Sequence, residues 1–369
     1  MRLLLVISSL EAGGAERVMS ILASSWDGQG HQVSVVTDSA ATSDHYELAP
    51  NVQRISLNAL SVTADLPDKI ARNIYRLRRM RFAYLEVAPD LVVAFGSTIN
   101  VRAVLSGIGL GIPILVSERV DPRMVALPWP WRVLRRLLYP LAACVVAQTE
   151  AAAEWIRSFV PSHRVRVIPN PVCSLVRAAS RPEALGTRRT IIAVGRLDRQ
   201  KGFDLLLGAY SLALLKSAEW QLVILGEGRE REALQLQIEE LGLTDSVLMP
   251  GVVKHPEQWL QHAAIFVLSS RFEGFPNALL EAMQCGLPVV AFDCPSGPGE
   301  IVRHEQTGLL VPAGEADALA AAIARLATDP NLRQRLGSAA AADVASRFSL
   351  QHVCAMWEEL LVSVAGRTQ

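Results

Sequence analysis

Residues 264–292 read AIFVLSSRFEGFPNALLEAMQCGLPVVAF. An apolar run, AIFVLSS, gives way to a short loop holding Glu273 and Gly274. A helix signal follows, and then a second apolar run, PVVAF. Pro276 suits the first helical turn, where its fixed φ fits and its missing N–H leaves no bond unmade. Two fully apolar runs joined by a helix-length segment predict parallel strands buried on both faces. On this reading Glu273 lies in the loop beyond a strand, and Glu281 lies one to two turns inside the helix.

The same alternation extends in both directions. LLLVIS (3–8), QVSVVT (32–37), LVVAF (91–95), PILVS (113–117) and ACVVAQ (143–148) form a first series of strands. TIIAVG (190–195), WQLVILG (220–226), AIFVLSS and PVVAF form a second. The break between them falls at 169–189, where PNPVCSLVRAASRPEALGTRR has three prolines and no period. After Val311 three helical stretches are expected: Glu315–Thr328, Pro330–Arg347 and Leu350–Val364. The predicted fold class is α/β, with two doubly wound Rossmann-like domains facing each other across a cleft. Residues 1–170 form an N-terminal domain, 171–349 a C-terminal domain, and 350–369 a last helix.

The bulk properties agree with an ordinary globular chain. Of 369 residues, 50% are apolar, and 36 Lys/Arg balance 36 Asp/Glu. A nucleic-acid binder by charge alone is thereby disfavoured. Residues 1–180 hold 19 Lys/Arg and 14 Asp/Glu, a net +5, and the remainder holds 17 and 22, a net −5. Either the first half faces something anionic, or the scatter is chance. The five cysteines (Cys144, Cys173, Cys285, Cys294, Cys354) have no C-x-x-C spacing and read as reduced thiols of a cytoplasmic protein. MRLLLVISS reads as a first strand rather than a leader, because no small-residue cleavage site follows it. No apolar run reaches the roughly 18 residues of a membrane span.

In doubly wound sheets ligands bind beyond the carboxyl ends of the strands. After the first strand come Gly13 and Gly14, opening a helix whose free amides attract anions. After TIIAV, Arg196 and Lys201 flank a turn just before a helix, where two cations and a positive helix end converge on an anion such as a diphosphate. After AIFVLSS, Glu273 can face a neutral polar ligand and Glu281 a vicinal diol such as ribose. LGEGRER (225–231) has Arg231 where the dinucleotide fingerprint needs its third glycine, which weakens a nicotinamide dehydrogenase. No D-x-D occurs, so no metal and no cofactor are expected.

GRLDRQKG, LGEGRER and EGFPNALLEAMQCGLPVVAFD, with the N-terminal GGAER, resemble the retaining nucleotide-sugar glycosyltransferases of family 4, with the GT-B fold. The resemblance covers essentially the whole chain. It implies that Arg196 and Lys201 hold the donor diphosphate, that Glu273 stands near the transferred sugar, and that Glu281 meets the ribose. Gly13, Gly14, Gly274, Phe275, Pro276 and Asn277 would line the donor, and the backbone of Gly251–Lys254 would border the base. The last helix would pack back on the first domain. Many relatives carry His-Asp after the strand read here as PILVS. This chain has Ser117-Glu118-Arg119-Val120-Asp121, which puts a catalytic histidine in doubt and makes Glu118 the candidate to orient sugar or acceptor. SERVDP with DCPSGP is similar to a subgroup that adds hexoses or N-acetylhexosamines to polyprenyl-diphosphate-linked oligosaccharides.

The resemblance implies a nucleoside-diphosphate sugar as donor, UDP by family frequency, and a glycan or lipid-linked oligosaccharide as acceptor. The basic segments KIARNIYRLRRMRF (69–82) and PWPWRVLRRLLYP (128–140) fit contact with an anionic membrane at its inner face or a lipid diphosphate, and equally a solvated cationic helix face. A nucleotide-sugar epimerase and a non-catalytic sugar-nucleotide binder stay open as alternatives.

Overall fold

All nine apolar runs become parallel strands in the computed structural model, which describes every residue except 12, 58–65, 125–126, 173–179, 215–217 and 367–369, with backbone only for 66–70 and 214. Cys173 and the side chains of Lys69 and Ile70 therefore lie outside the described residues.

The chain divides into two compact units, Met1–Asn170 with Val353–Gln369, and Pro171–His352. The first unit holds β1 (Arg2–Ile7), β2 (Gln32–Thr37), β3 (Gln53–Ser56), β4 (Leu91–Phe95), β5 (Ile114–Ser117), β6 (Cys144–Ala147) and β7 (Val165–Val167). Their order in the sheet is β3-β2-β1-β4-β5-β6-β7, and every pairing is parallel. Helices α1 (Gly14–Gly28), α2 (Leu66–Val87), α3 (Ser97–Gly107), α4 (Trp129–Leu138) and α5 (Glu150–Arg157) make the crossovers.

The second unit repeats the plan. Strands β8 (Arg189–Val194), β9 (Trp220–Leu225), β10 (Val247–Gly251), β11 (Ile265–Leu268), β12 (Val289–Asp293) and β13 (Leu309–Pro312) lie in the order β10-β9-β8-β11-β12-β13, again all parallel. Around them run α6 (Phe203–Leu214), α7 (Arg231–Glu240), α8 (Pro256–Gln261), α9 (Asn277–Gln284), α10 (Pro298–Ile301), α11 (Ala316–Thr328) and α12 (Pro330–Arg347). Asp329 caps α12 by accepting from the Leu332 amide at 2.9 Å, and Pro330 takes the first helical position, so the break between α11 and α12 is written in the Asp-Pro pair.

The four strands not foreseen, β3, β7, β10 and β13, are the four edges of the two sheets. Covered on fewer sides, they carry arginine, glutamine and proline and do not read as continuous apolar runs. Central strands show the opposite: Leu3, Leu4, Leu5, Val92, Val93, Ile191 and Ile192 have no exposed surface.

The last helix, α13 (Leu350–Ala365), belongs from Val353 onward to the first unit. Its Trp357 is fully buried, 5.9 Å from the Trp26 ring and 6.1 Å from the Phe95 ring. Burying so large an aromatic stabilises the docking by several kcal/mol, of order ~25 cal/mol per Å² of apolar surface. Glu358 adds a 3.1 Å contact to His31.

Both sheets reverse direction at one place. In the first, β1 and β4 are neighbours from which the strand order runs outward both ways; in the second, β8 and β11 are. These are the switch points where doubly wound sheets leave a crevice.

Candidate functional site

At the switch point of the second sheet, the turn after β8 meets the loop after β11. Lys201 closes a single 3-10 turn, Arg199–Lys201, and its Nζ lies 2.6 Å from Glu273 Oε1. Ser270 Oγ donates to the same oxygen at 2.6 Å. The Lys201 and Glu273 side chains keep only 17% and 6% of their surface. Among the described residues Oε2 of Glu273 has no hydrogen-bond partner.

The surrounding backbone explains why the two meet. Arg271 N donates to Gln200 O, the Arg271 guanidinium to Arg199 O, Gln200 Nε2 to Phe272 O, and Ser269 Oγ to Lys201 O, all within 3.0 Å. Arg271 also pairs with both oxygens of Asp204, which holds that carboxyl below its usual range, and a bidentate pair fixes orientation as well as distance. Gly202 sits at φ 63°, and a Cβ there would fall 2.1 Å from the Ser269 carbonyl oxygen. Only glycine allows the two loops to lie this close.

Arg196 is not drawn into this arrangement. It projects outward with 76% of its side chain exposed, and its ion pair is to Asp198 at 3.5 Å. Glu281 and Asn277, one helical turn apart, occupy the half-exposed face of α9, while Leu279, Leu280, Ala282 and Met283 fill the core. Phe275 is itself core: its ring is buried 5.9 Å from Phe348, and Pro276 is buried beside it. The Phe275 side chain thus belongs to the apolar interior, as an aromatic flanked by helix and strand does. Gly274 offers its carbonyl to Ser296 Oγ at 3.3 Å. Beyond Gly251 the chain is open, with Val252 on the surface.

Two participants escaped the sequence reading. Ser270 has no spacing signal beyond lying three residues before Glu273. Cys294, just past β12, is buried, and its thiol is pushed up to about 12 by that burial, then by the Glu273 carboxylate.

In the first unit the polar residues gather at the carboxyl ends of β1 and β4 to β7. Gly13 caps α1 without a side chain, and the space a Cβ would take is filled by the Glu16 carboxylate, 2.2 Å from that position. The opening left by Gly13 thus holds the protein's own anion at the helix start, where it is favoured. Burial raises the Glu16 pKa.

Glu118 faces inward. Its carboxylate accepts from Ser97 Oγ at 2.6 Å and from Tyr139 OH at 2.5 Å, and Arg135 Nη1 stands 3.5 Å away. The side chain has no exposed surface. Direct contact with a sugar or acceptor, expected from its place after β5, does not fit this burial, because the carboxylate turns inward to Ser97, Tyr139 and Arg135. Burial, and next the Glu118 charge, push the Tyr139 phenol well up, so that it stays a donor.

Arg119, its neighbour, was not singled out by the sequence. Its guanidinium lies 4.2 Å over the Phe95 ring and bonds Ser117 Oγ and Asn170, with Nε unpaired. No carboxylate lies within 4.0 Å of it among the described residues, and burial brings its pKa down to about 9 against the opposing pull of Glu16. Among the described residues no three His, Cys, Asp or Glu side chains converge to hold a metal ion, and no helix is long and apolar enough to cross a membrane.

Two parallel Rossmann-like sheets with these loops define a GT-B glycosyltransferase. Residues 12–173 match the family described as Glycosyltransferase Family 4, and residues 177–343 match Glycosyl transferases group 1. The two matches follow one another along the chain, which belongs to this family and is a glycosyltransferase. A Campylobacter jejuni protein named GalNAc-alpha-(1->4)-GalNAc-alpha-(1->3)-diNAcBac-PP-undecaprenol alpha-1,4-N-acetyl-D-galactosaminyltransferase is 27% identical over 365 residues, covering 99% of each chain. A Streptomyces coelicolor exopolysaccharide phosphotransferase is 34% identical over 231 residues, which span 62% of this chain but 24% of that protein. The Anabaena protein HepE, solved in complex with UDP, superposes with a TM-score of 0.80 at 20% identity over 98% of this chain and 100% of its own.

Proposed function

We propose that the chain moves a hexose or N-acetylhexosamine from UDP to a hydroxyl of a lipid-linked glycan, with retention at the anomeric carbon and without a metal. The observation that carries this reading is the Lys201–Glu273 pair at the β8/β11 switch point. Lys201 has three N–H donors and spends one on Glu273, leaving two for the donor diphosphate. Arg196, exposed on the surface beside Asp198, swings onto the same phosphates and supplies the planar fork that a lysine lacks. Cations held in place before reaction stabilise a departing diphosphate without reorganising, which is the work a metal does in other enzymes. Glu273, anchored through Oε1, turns Oε2 to a hydroxyl of the transferred sugar. Glu281 meets the ribose from α9. Front-face attack, with the leaving phosphate taking the acceptor proton, is the mechanism by family analogy.

The lipid-linked acceptor is supported by the name of the Campylobacter relative and by the surface of the first unit. Helices α2 and α4 both pack on α3. Their outer faces expose Ile74, Tyr75, Phe82 and Leu85, and Trp129, Val133 and Leu137, among arginines 78, 79, 132 and 136. Such a face suits peripheral contact with an anionic bilayer at its cytoplasmic side.

A thermal-shift screen of nucleotide sugars tests the donor. A UDP-sugar at 100 times its Kd should stabilise the fold by about 2.7 kcal/mol through mass action. No shift with any UDP-sugar would refute the donor assignment. Transfer lost to a chelator and restored by Mn²⁺ would refute the metal-free mechanism.

A further inference from the structure

Two serines follow β11 directly, and each keeps only 1% of its surface. Their hydroxyls take different partners. Ser269 Oγ donates to the Lys201 carbonyl at 2.9 Å, and Ser270 Oγ donates to Glu273 Oε1 at 2.6 Å. One dipeptide therefore touches both members of the Lys201–Glu273 pair, Ser269 through the lysine backbone and Ser270 through the carboxylate itself.

Ser270 Oγ and Lys201 Nζ converge on a single atom. Each lies 2.6 Å from Glu273 Oε1, and no other described residue bonds either oxygen of that carboxylate. A carboxylate held by one donor turns about that contact. A second charge-assisted bond from another part of the chain adds direction to strength.

Burial alone does not account for this choice of oxygen. Lys201 already supplies the charge that offsets Glu273, and a neutral hydroxyl adds none. If Ser270 served only to satisfy a buried carboxylate, Oε2 would be the oxygen in need of a donor, since Oε1 has Lys201. Both bonds fall on Oε1 instead. What the serine contributes is the plane of the carboxylate, with Oε2 left for a group from outside the protein.

We propose that Ser270 is a positioning residue: sharing Oε1 with Lys201, it fixes the plane of Glu273 and presents Oε2 to a hydroxyl of the transferred sugar. The inference rests on the donor reading given above and deepens it, because it assigns to Ser270 a part in recognising the sugar and none in recognising the nucleotide.

The test is calorimetric titration of the full chain with UDP and with the tightest binder among UDP-glucose, UDP-galactose and their N-acetylamino counterparts. Ser270→Ala should bind UDP within about twofold of wild type and the UDP-sugar about tenfold or more weaker, the scale of one lost hydrogen bond to a charged group. Retained UDP binding reports that the variant is folded. Ser270→Cys, of similar shape but with a weak donor, should follow Ser270→Ala, and Ser270→Thr, which keeps the hydroxyl, should stay closer to wild type than either. A crystal structure of Ser270→Ala should show the Glu273 carboxylate turned out of its wild-type plane. Equal weakening of UDP and UDP-sugar would overturn the proposal, since that is what a merely structural serine gives. So would unchanged affinity for the UDP-sugar, or a Glu273 carboxylate that keeps its plane without Ser270. The donor reading fails separately: wild type that binds none of the UDP-sugars would refute that reading, while the crystal structure would still decide whether Ser270 orients Glu273.

Discussion

Lys201 Nζ lies 2.6 Å from Glu273 Oε1, across 72 residues of sequence, and both side chains are largely out of solvent. A pair in this state is more strongly coupled than a surface ion pair, because either partner alone is a poorly solvated charge. Removing one partner of a buried pair costs about 3–5 kcal/mol, whereas replacing both by apolar residues is often neutral. Lys201→Met should therefore lower stability by an amount toward the lower end of that range, since Lys201 keeps some exposure. Lys201→Met with Glu273→Met should recover much of the loss. Urea denaturation of wild type, Lys201→Met, Glu273→Met and the double variant gives the coupling directly, and additive losses would mean that the two groups act independently. Transfer activity should be lost in all three variants.

Glu118→Gln separates fold from chemistry in the other unit. The substitution keeps the shape but removes the charge that faces Arg135 at 3.5 Å, leaving a guanidinium with 4% exposure uncompensated. The expected result is a loss of a few kcal/mol in denaturant unfolding. Turnover per folded molecule should stay within a few-fold of wild type, because the Glu118 side chain has no exposed surface. A collapse of turnover with unchanged stability would restore Glu118 to direct contact with a substrate.

The sequence was most legible where burial is complete. Strands β1, β4, β8 and β11 are apolar on both faces, so their runs are continuous and mark their own ends. Because both switch points involve these strands, the loops that carry Lys201 and Glu273 could be found without coordinates. The edges β3, β7, β10 and β13 were hidden, since half-covered strands mix polar and apolar residues without strict alternation. Direction of side chains was not legible either. Spacing placed Glu118 and Glu273 alike just after a strand. Whether a carboxylate turns inward to Ser97 and Tyr139 or toward a loop lysine depends on residues 21 to 72 positions away. The direction of Arg196 was hidden for the same reason: its position beside β8 was clear, but nothing local reports that it extends into solvent.

Alkaline pH should act on the fold through Cys294. Its thiol titrates near 9 when unperturbed and at about 12 in the folded protein, raised first by burial and then by the nearby Glu273 charge. Below pH 9 both states carry the proton and the contribution to stability is full. Between pH 9 and about 12 the unfolded chain releases the proton while the folded one retains it, so stability falls as pH rises. Cys294→Ala should lose less stability than wild type between pH 8.5 and roughly 10.5, a window set by linkage. Parallel unfolding curves for the two proteins would show that the thiol is not shielded. Iodoacetamide at pH 8 should likewise leave Cys294 unmodified in the native state, because the thiolate is the reactive form.

The arginine-rich outer faces of α2 and α4 lead to a salt-dependent prediction. Arg78, Arg79, Arg132 and Arg136 are exposed beside Phe82, Leu85, Trp129 and Leu137, so charge and apolar surface share one side of the unit. Each basic residue near an anionic bilayer contributes about 1 kcal/mol at low salt, and screening shortens that reach from roughly 30 Å at 0.01 M to about 3 Å at 1 M salt. The apolar contribution does not screen. Sedimentation with phosphatidylglycerol vesicles should therefore be strong at low salt and reduced but not abolished at 1 M. Arg78→Gln with Arg132→Gln should remove most of the low-salt advantage. Trp129→Ala with Phe82→Ala should remove what remains at high salt. Equal and negligible sedimentation with anionic and neutral vesicles would rule out membrane contact by this face and leave its arginines as a solvated helix surface.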